Sequence, residues 1–392
     1  MEPPPPELID GDVAASLPDE LVAEILIRLP ADEPEHLFRA ALVCKAWLRL
    51  ICDPAFLRRY RAFHGSPPLL GLLHRLKVIQ GDPPPRLTRT TAVPLSPDPH
   101  FRRALDCRHG RVLLHASHGD WHLTVWDPIT GEQHRIPEPG IPWMIYSAAV
   151  FCPVSGCDHL DCHGGPFRVV FVATDDDDEF VKASIYSSET GSWTIPVILD
   201  DGFGTPERRY QHVLELARRG ECYRMPYVQP RRGALVGDEI YFTIRNGNAI
   251  IKYNWGMDCL SKIDPPSPDV YYITLMEMEN DSLGFAYIQD LSLYVWSRKA
   301  NSEGAAEWVQ FRVIELEKLI PVTDDHGDAP FVVGSAEGVG VIFVSSGVGL
   351  FTIELKSRRV KKVEEPGAYN SVLPYMNFYT PGIVLNLAYL LS

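Results

Sequence analysis

Apolar residues recur at every fourth position near the start of the chain, at Leu17, Leu21, Ile25 and Leu29. This spacing places them along one face of a helix. Val22 and Leu26 lie beside that row, so the apolar surface is wider than a single stripe. The pattern therefore predicts an amphipathic helix that ends at Pro30 and carries more apolar surface than its own packing needs.

Two or three further helices are predicted before residue 64. Apolar positions continue after Pro34 at Leu37, Phe38, Ala41, Leu42, Val43, Cys44, Trp47, Leu50 and Ile51. We expect Cys44 to pack inside these helices as a small hydrophobic residue. Asp53-Pro54 is a typical helix start, because aspartate caps free N–H groups and proline suits the first turn. A cluster of about 45 residues buries only part of its apolar surface alone, so the excess predicts a docking surface.

The pattern changes from helices to strands after a hinge at residues 64–68. Short apolar strands alternate with polar turns from Leu69 onward, and a strand with a large apolar residue recurs at Trp126, Tyr186, Tyr253, Trp296 and Ile353, at spacings of 43 to 67 residues. Repeats of this length, with about four short strands each, are typical of propeller blades. Five such units, together with residues 69–94, predict about six blades, with a β-sandwich pair as the alternative. The one helix expected in this region is a loop insertion at Tyr210–Arg219.

These patterns divide the chain into three segments and give a multidomain fold class, α plus all-β. Residues 1–12 are proline-rich and acidic, and we expect a disordered tail. Residues 13–64 form the helical cluster. Residues 67–392 form the β-propeller-like domain.

Charge and cysteine content restrict the functional classes and the compartment. The net charge of −14 argues against a general binder of nucleic acid or of anionic membranes. Eight scattered cysteines do not form a disulfide framework. The chain shows neither a signal peptide nor an apolar run of the ~20 residues needed to span a bilayer. We therefore expect an intracellular protein, located in the nucleus and/or the cytoplasm.

The helical cluster resembles an F-box. The resemblance rests on LPDELVAEILIRLP and LVCKAWLRLICDPAFL, which contain a Leu-Pro opening, an Ile-Leu pair, a second Leu-Pro and a Val-Cys-Lys-x-Trp element in the family's order. It implies binding to a Skp-type adaptor and, through it, to the cullin and RING subunits of a ubiquitin ligase. The residues it assigns to adaptor binding are Leu17, Pro18, Leu21, Ile25, Leu26, Leu29, Pro30, Val43, Cys44 and Trp47. A helical cap that plugs the following domain is the alternative.

The β-rich segment resembles the propeller-like domain that follows the F-box in many plant F-box proteins. VWDPITGEQHRIP and the closing PYMNFYTP carry this resemblance. It implies a domain that recruits a target protein, and it identifies no target. Aromatic residues in predicted loops are candidates for target binding, because Trp and Tyr are enriched in binding hot spots. They are Trp143, Tyr146, Tyr223, Tyr227, Trp255, Tyr271 and Tyr272.

One loop concentrates possible metal ligands. Cys152, Cys157, His159, Cys162 and His163 fall within twelve residues. Thiolates and imidazoles at close spacing can hold zinc. The spacing is Cys-x4-Cys-x4-Cys-His and lacks the paired Cys-x2-Cys knuckle that marks a strong zinc motif. The sequence alone therefore favours a plain loop, and we predict no cofactor.

No catalytic motif stands out in the sequence. It contains no Gly-x-Ser-x-Gly elbow and no phosphate-binding glycine loop followed by lysine. The resemblance to F-box proteins implies a substrate-recognition subunit of a Skp–cullin–F-box ligase, and without a catalytic motif we expect that subunit to be non-catalytic. Two alternatives remain open: a propeller enzyme or metal-binding module with a passive helical cap, and an F-box scaffold that acts outside a ligase.

Overall fold

The structure is a computed structural model that describes residues 17–76, 87–116, 121–178, 180–199, 206–220, 227–245, 249–267, 272–300, 306–321, 329–336, 338–367 and 369–381. The chain forms two compact units. A helical unit comprises Met1–Pro67 with Phe378–Ser392, and a propeller unit comprises Pro68–Asn377. The predicted tail, residues 1–12, lies outside the described residues.

Four helices follow one another in the described part of the helical unit before residue 67: α1 (Asp19–Leu26), α2 (Glu35–Ala41), α3 (Lys45–Ile51) and α4 (Pro54–His64). The last of these begins as predicted, because the Asp53 carboxylate accepts hydrogen bonds from the N–H groups of Ala55 at 2.8 Å and Phe56 at 3.2 Å. Each helix contributes a large buried side chain to a shared core. These side chains are Leu26, Leu37, Ile51 and Tyr60.

The chain returns to the helical unit at its C-terminal end. The ring of Tyr379 stacks on Phe38 with centroids 5.3 Å apart, and Phe378 packs edge-on against Tyr60 at 6.2 Å. The predicted β-domain extended to residue 392. In the structure the chain from Phe378 onward groups with the helices instead. The reason is that two consecutive aromatic side chains find apolar partners on the helices.

The propeller unit contains six sheets within its described residues. The chain enters through β1 (Leu69–Leu76) and β2 (Leu87–Arg89), which belong to blade 6. Blade 1 consists of β3 (Phe101–Arg108), β4 (Arg111–Ala116), β5 (Leu123–Trp126) and β6 (Gln133–Ile136). Blade 2 consists of β7 (Trp143–Phe151), β8 (Arg168–Asp175), β9 (Val181–Ser187), β10 (Ser192–Trp193) and β11 (Val197–Ile198).

The helix α5 (Pro206–Arg218) precedes blade 3, which consists of β12 (Tyr227–Val228), β13 (Ala234–Val236), β14 (Glu239–Arg245), β15 (Ala249–Asn254) and β16 (Cys259–Ile263). Blade 4 consists of β17 (Thr274–Glu277), β18 (Leu283–Gln289), β19 (Ser292–Ala300) and β20 (Ala306–Glu315). Blade 5 consists of β21 (Phe331–Ala336), β22 (Val341–Ser346), β23 (Gly349–Glu354) and β24 (Val360–Glu364). The last strand, β25 (Tyr369–Met376), pairs antiparallel with β1 and so completes blade 6.

The inner strands of neighbouring blades, including β25 for blade 6, form a closed ring. Contacts run from β3 to β7, β7 to β12, β13 to β17, β17 to β21, β21 to β25, and β25 back to β3. The hydrophobic core is divided among the interfaces between successive blades. Phe151 and Phe242, for example, share the cluster between blades 2 and 3, and Val295 and Val344 share the cluster between blades 4 and 5. The structure is therefore a six-bladed propeller, and the β-sandwich alternative was wrong.

The equivalence drawn from the sequence repeats is confirmed. Each of the five marker residues lies on the third strand from the inner edge of its sheet, counted in hydrogen-bonded order, which is β15 in blade 3. Trp126 and Tyr253 are fully buried there. The predicted loop helix is also present, and it begins at Pro206, four residues before the expected Tyr210. None of the helices that the structure describes has the length and apolar character required to cross a membrane.

A buried polar network joins the first strands. The Asp106 carboxylate on β3 pairs with Arg108 on the same strand, and it accepts hydrogen bonds from Arg232 Nε at 3.0 Å and from the Val150 N–H on β7 at 2.8 Å. Arg232 also donates to the carbonyl of Ser335 on β21, at 3.2 Å. The network connects the inner edges of blades 1, 2, 3 and 5.

Candidate functional site

Besides Phe63 on α4, the described part of the helical unit exposes five large apolar side chains that its core does not use. Leu21 and Ile25 lie on α1 and Leu17 lies just before it, and we call these three residues the outer row. Leu42 and Val43 occupy the turn between α2 and α3. Their exposed fractions lie between 52% and 85%. Water contact of this extent on neighbouring helical positions is typical of a surface that binds another protein.

The outer row exists because α1 has two apolar faces. Val22, Ala23 and Leu26 face the core and are buried. Leu21 and Ile25 fall on another face of the same helix, since their four-residue spacing keeps them aligned, and Leu17 is exposed just before the helix begins. The row therefore contributes little to folding of the unit and remains available for contact.

The predicted adaptor-binding residues separate by exposure. Leu17, Pro18, Leu21, Ile25, Pro30 and Val43 are exposed, and Leu29 and Trp47 are half-buried. Leu26 is only 2% exposed, so its assignment as a contact residue needs correction: it belongs to the core of the unit. Cys44 was expected inside the helices, but it is exposed and caps α3, with its sulfur accepting a hydrogen bond from Trp47 N–H at 3.5 Å. Leu42, the most exposed of the five apolar residues, was not predicted as a site residue.

Two of the predicted target-binding tyrosines line one pocket of the propeller unit. Tyr227 and Tyr272 border a cavity of about 290 Å³ together with Arg231 and Arg245. Tyr272 is exposed, and its hydroxyl accepts a hydrogen bond from Arg245 Nη2 at 3.3 Å. Two guanidinium groups beside phenol rings can hold an acidic side chain, because guanidinium pairs with carboxylate in bidentate fashion.

The other aromatic candidates pack inside the propeller. Tyr146 is buried, with its hydroxyl 2.7 Å from His115 Nδ1, so its assignment to target binding needs correction. Trp143 packs against Tyr146 with centroids 4.8 Å apart, and Trp255 packs against Phe151 at 5.5 Å. The sequence could not distinguish these packed residues from the two tyrosines that line the pocket, because aromatic residues in loops and at strand ends occur in similar sequence contexts. Tyr223 and Tyr271 lie outside the described residues.

The loop between β7 and β8 brings four possible metal ligands together. Cys152, Cys157, His159 and Cys162 place one ligand atom each within 4.8 Å of one another. The structure thus brings together in space residues for which the sequence alone predicted a plain loop. Burial raises the pKa of the Cys162 thiol, and the neighbouring Cys152 and Cys157 raise it further.

The fifth predicted ligand, His163, turns away from this cluster. Its Nδ1 lies 2.6 Å from Oδ2 of Asp127, and its Nε2 lies 3.6 Å from Asp161. Burial alone would lower the pKa of His163, but the two carboxylates outweigh burial and raise it to about 9. The same ion pair holds the pKa of Asp127 below its usual range, against the opposing effect of burial. His163 therefore anchors the loop to blade 1.

Comparison with known proteins identifies two family matches along the chain. Residues 14–63 match the F-box-like family model, and residues 103–382 match the family described as F-box protein AT5G49610-like, beta-propeller. The putative F-box protein At3g10430 of Arabidopsis thaliana is 26% identical over 185 residues, which cover 46% of this chain and 49% of the relative. The chain thus spans about half the length of that curated relative.

Matches to solved structures have low sequence identity and low TM-scores. A protein from Lactobacillus plantarum is 10% identical, with a TM-score of 0.40 over 76% of this chain and 82% of that chain. TolB from Acinetobacter baumannii is 12% identical, with a TM-score of 0.37 over 80% of this chain and 69% of that chain. Similarity at this level adds nothing to the family matches.

Proposed function

This chain belongs to the family of F-box proteins with an AT5G49610-like β-propeller, and from that premise we propose that it is the substrate-recognition subunit of a Skp–cullin–F-box ubiquitin ligase. The helical unit docks on a Skp-type adaptor, which connects it to the cullin and RING subunits. The propeller unit binds the target protein. The proposed location is the nucleus and/or the cytoplasm.

The observation that carries this proposal is the exposed apolar surface of the helical unit. Leu21 and Ile25 on α1, and Leu42 in the following turn, are more than half exposed in a unit that already has its own core. Burying a Leu or Ile side chain against a partner contributes about 1.5–3 kcal/mol. Three such side chains supply much of the free energy that a stable protein complex requires.

The propeller unit contributes recognition of the target. The pocket bordered by Tyr227, Arg231, Arg245 and Tyr272 is the proposed contact for an acidic side chain of that target. The family is typical of non-catalytic adaptors, and the proposed contribution to ubiquitin transfer is proximity. Holding the target beside the charged enzyme raises the local concentration of its lysines around the thioester.

Adaptor binding by an α1 variant tests the proposal. Leu21→Asp with Ile25→Asp places two charges on the outer row and leaves the buried face of α1 unchanged. We expect the dissociation constant for a purified Skp-type adaptor, measured by calorimetry on the full chain, to rise about thirtyfold or more, since losing two central apolar contacts costs about 2 kcal/mol or more.

Phe63→Asp is the matched control. Phe63 lies on α4 of the same unit and is exposed to a similar extent, but it is outside the proposed surface. The control should bind the adaptor like the natural chain. The proposal fails if the full chain does not bind the adaptor, or if the α1 variant binds as tightly as the control while circular dichroism shows both folded.

A further inference from the structure

We propose that the loop between β7 and β8 binds one structural zinc ion through four ligands: Cys152, Cys157, His159 and Cys162. This inference concerns blade 2 of the propeller unit and does not depend on adaptor docking. It assigns a chemical role to a segment of the chain that neither the helical surface nor the target pocket uses.

The distances among the ligand atoms fit a tetrahedral site. All four atoms lie within 4.8 Å of one another. Tetrahedral zinc with Zn–S bonds of about 2.3 Å and a Zn–N bond of about 2.0 Å needs ligand atoms roughly 3.5–3.8 Å apart. The remaining difference is about 1 Å, which small movements of the four side chains would close.

A crosslink would fasten the earlier part of this long loop, since His163 and Arg111 already hold its later part. The loop runs from residue 152 to residue 167 without a helix or strand, and irregular segments longer than about 12–15 residues are uncommon in compact domains. Cys152 follows the last residue of β7 directly, whereas Cys157 and Cys162 lie farther along the loop. A shared ion would therefore fasten the middle of the loop to the end of the strand.

A buried guanidinium beside the cluster gives independent support. Arg111 is 2% exposed, and its Nη2 donates to the carbonyl oxygens of Cys162 and Gly165 at 2.6 Å each. Its Nη1 is buried without a hydrogen-bond partner. The carboxylate of Asp127 interacts with Arg111 electrostatically, but it is already paired with His163 at 2.6 Å. Burying a cation that has no carboxylate of its own is costly. Three thiolates, one neutral imidazole and Zn²⁺ together carry one negative charge, which supplies a countercharge.

The surroundings also select which imidazole is the ligand. The ring of His109 stacks on His159 with centroids 3.9 Å apart and planes at 5°, and its Nδ1 accepts a hydrogen bond from the Cys152 N–H at 3.1 Å. Contacts of this kind orient the groups that hold a metal. His163 is instead held by Asp127. The structure thus distinguishes His159 from its neighbour four positions on.

The donor set defines the ion and its role. Thiolate ligands favour zinc over magnesium or calcium, and Cys₃His is one of the ligand sets of structural zinc. Four protein ligands fill the tetrahedron and leave no position for water or substrate. The site would therefore stabilise the loop rather than catalyse a reaction.

Metal analysis of the full chain, purified from zinc-supplemented cells without chelator, tests the assignment. We expect about one zinc per chain by mass spectrometry, falling at least about fivefold in Cys157→Ser and in His159→Gln, because a site with one ligand missing binds zinc much more weakly. Two matched controls should keep their zinc. Cys259→Ser removes a cysteine of blade 3, and His163→Gln removes the imidazole adjacent to Cys162.

A second measurement covers the case in which the ligand variants do not fold. Natural protein should first be stripped of metal with a chelator and then loaded with Co²⁺. It should show thiolate-to-cobalt charge-transfer absorption and the intense visible bands of tetrahedral cobalt. Three results would overturn the inference: natural protein without zinc and without these cobalt bands, full zinc content in folded Cys157→Ser and His159→Gln, or a disulfide between two cluster cysteines in the freshly purified natural chain.

Discussion

Replacing Asp106 by alanine should destabilise the propeller more than any surface substitution. The Asp106 carboxylate is fully buried and accepts hydrogen bonds from the N–H groups of Cys107 and Val150, both at 2.8 Å, and from Arg232 Nε at 3.0 Å, besides its ion pair with Arg108. Alanine removes all four interactions at once. It also leaves two guanidinium groups on the inner strands without their carboxylate.

The magnitude follows from what remains behind. Removing one partner of a buried ion pair costs about 3–5 kcal/mol, because the other charge stays buried and uncompensated. The propeller unit spans Pro68–Asn377, and unfolding entropy of about 2.1 cal/mol/K per residue makes each kcal/mol worth roughly 1.5 °C in a unit of that length. Asp106→Ala should therefore lower the melting temperature of the propeller by about 5–8 °C.

Tryptophan fluorescence is the suitable assay, because seven of the eight tryptophans lie in the propeller unit and Trp47 is the exception. Asp264→Ala is the matched control, since Asp264 forms an exposed ion pair with Lys262 at 3.2 Å, and such pairs are worth about 0–1 kcal/mol. If Asp106→Ala melted within about 1 °C of this control, the carboxylate would not hold the inner strands together, and the reasoning from buried charge would be refuted.

Two further substitutions have definite expected outcomes. Burial alone would raise the pKa of the Asp175 carboxyl, but Lys182, 2.8 Å away, and two backbone N–H groups hold that pKa below its usual range. The ionised carboxylate therefore stabilises the fold above about pH 4. This stabilisation is lost as the pH falls through the lowered pKa. Lys182→Met should therefore shift acid unfolding of the propeller to higher pH, whereas Lys318→Met, which removes an exposed pair, should not. Gly334→Ala would place a Cβ against the carbonyl oxygen of Val372 on β25. Thermal denaturation should therefore show a loss of stability of about 1–3 kcal/mol from overpacking. Gly140→Ala should lose almost none, because its Cβ would meet open space.

Much of the fold was predictable because a propeller repeats the same pattern of short strands in every blade. In blades 1 to 5 the same strand of the sheet carries a large apolar side chain, which produced the recurring Trp126, Tyr186, Tyr253, Trp296 and Ile353. All of these side chains are buried except that of Trp296, which is half-buried. The closure of blade 6 was not predictable from periodicity. β25 pairs with β1, and the two strands are the last and the first of the propeller unit in sequence. The sequence of a single strand does not indicate a partner so far away along the chain.

The sites show where reasoning along the chain loses information. Four-residue spacing correctly placed Leu21 and Ile25 on one face of α1, although Leu17 lies just before the helix, and only packing shows that Leu26 faces inward. The spacing Cys-x4-Cys-x4-Cys-His looked unlike a zinc motif because motif rules record separations in sequence. A 16-residue loop can bring distant positions together, and the structure gathers Cys152, Cys157, His159 and Cys162. The structure also excludes His163 from this cluster, because His163 pairs with Asp127 on another blade, and that pairing has no sequence signature.

The two apolar faces of α1 separate stability from binding within one short helix. Val22 and Leu26 contribute to the core of the helical unit, and a substitution there would weaken folding and docking together. Leu21 and Ile25 are more than half exposed, so a polar substitution there removes little buried area from the free chain. Its cost therefore appears only in a complex that buries the row. A variant of the outer row with unchanged melting temperature and weakened adaptor binding would be the signature of a surface retained for contact rather than for folding.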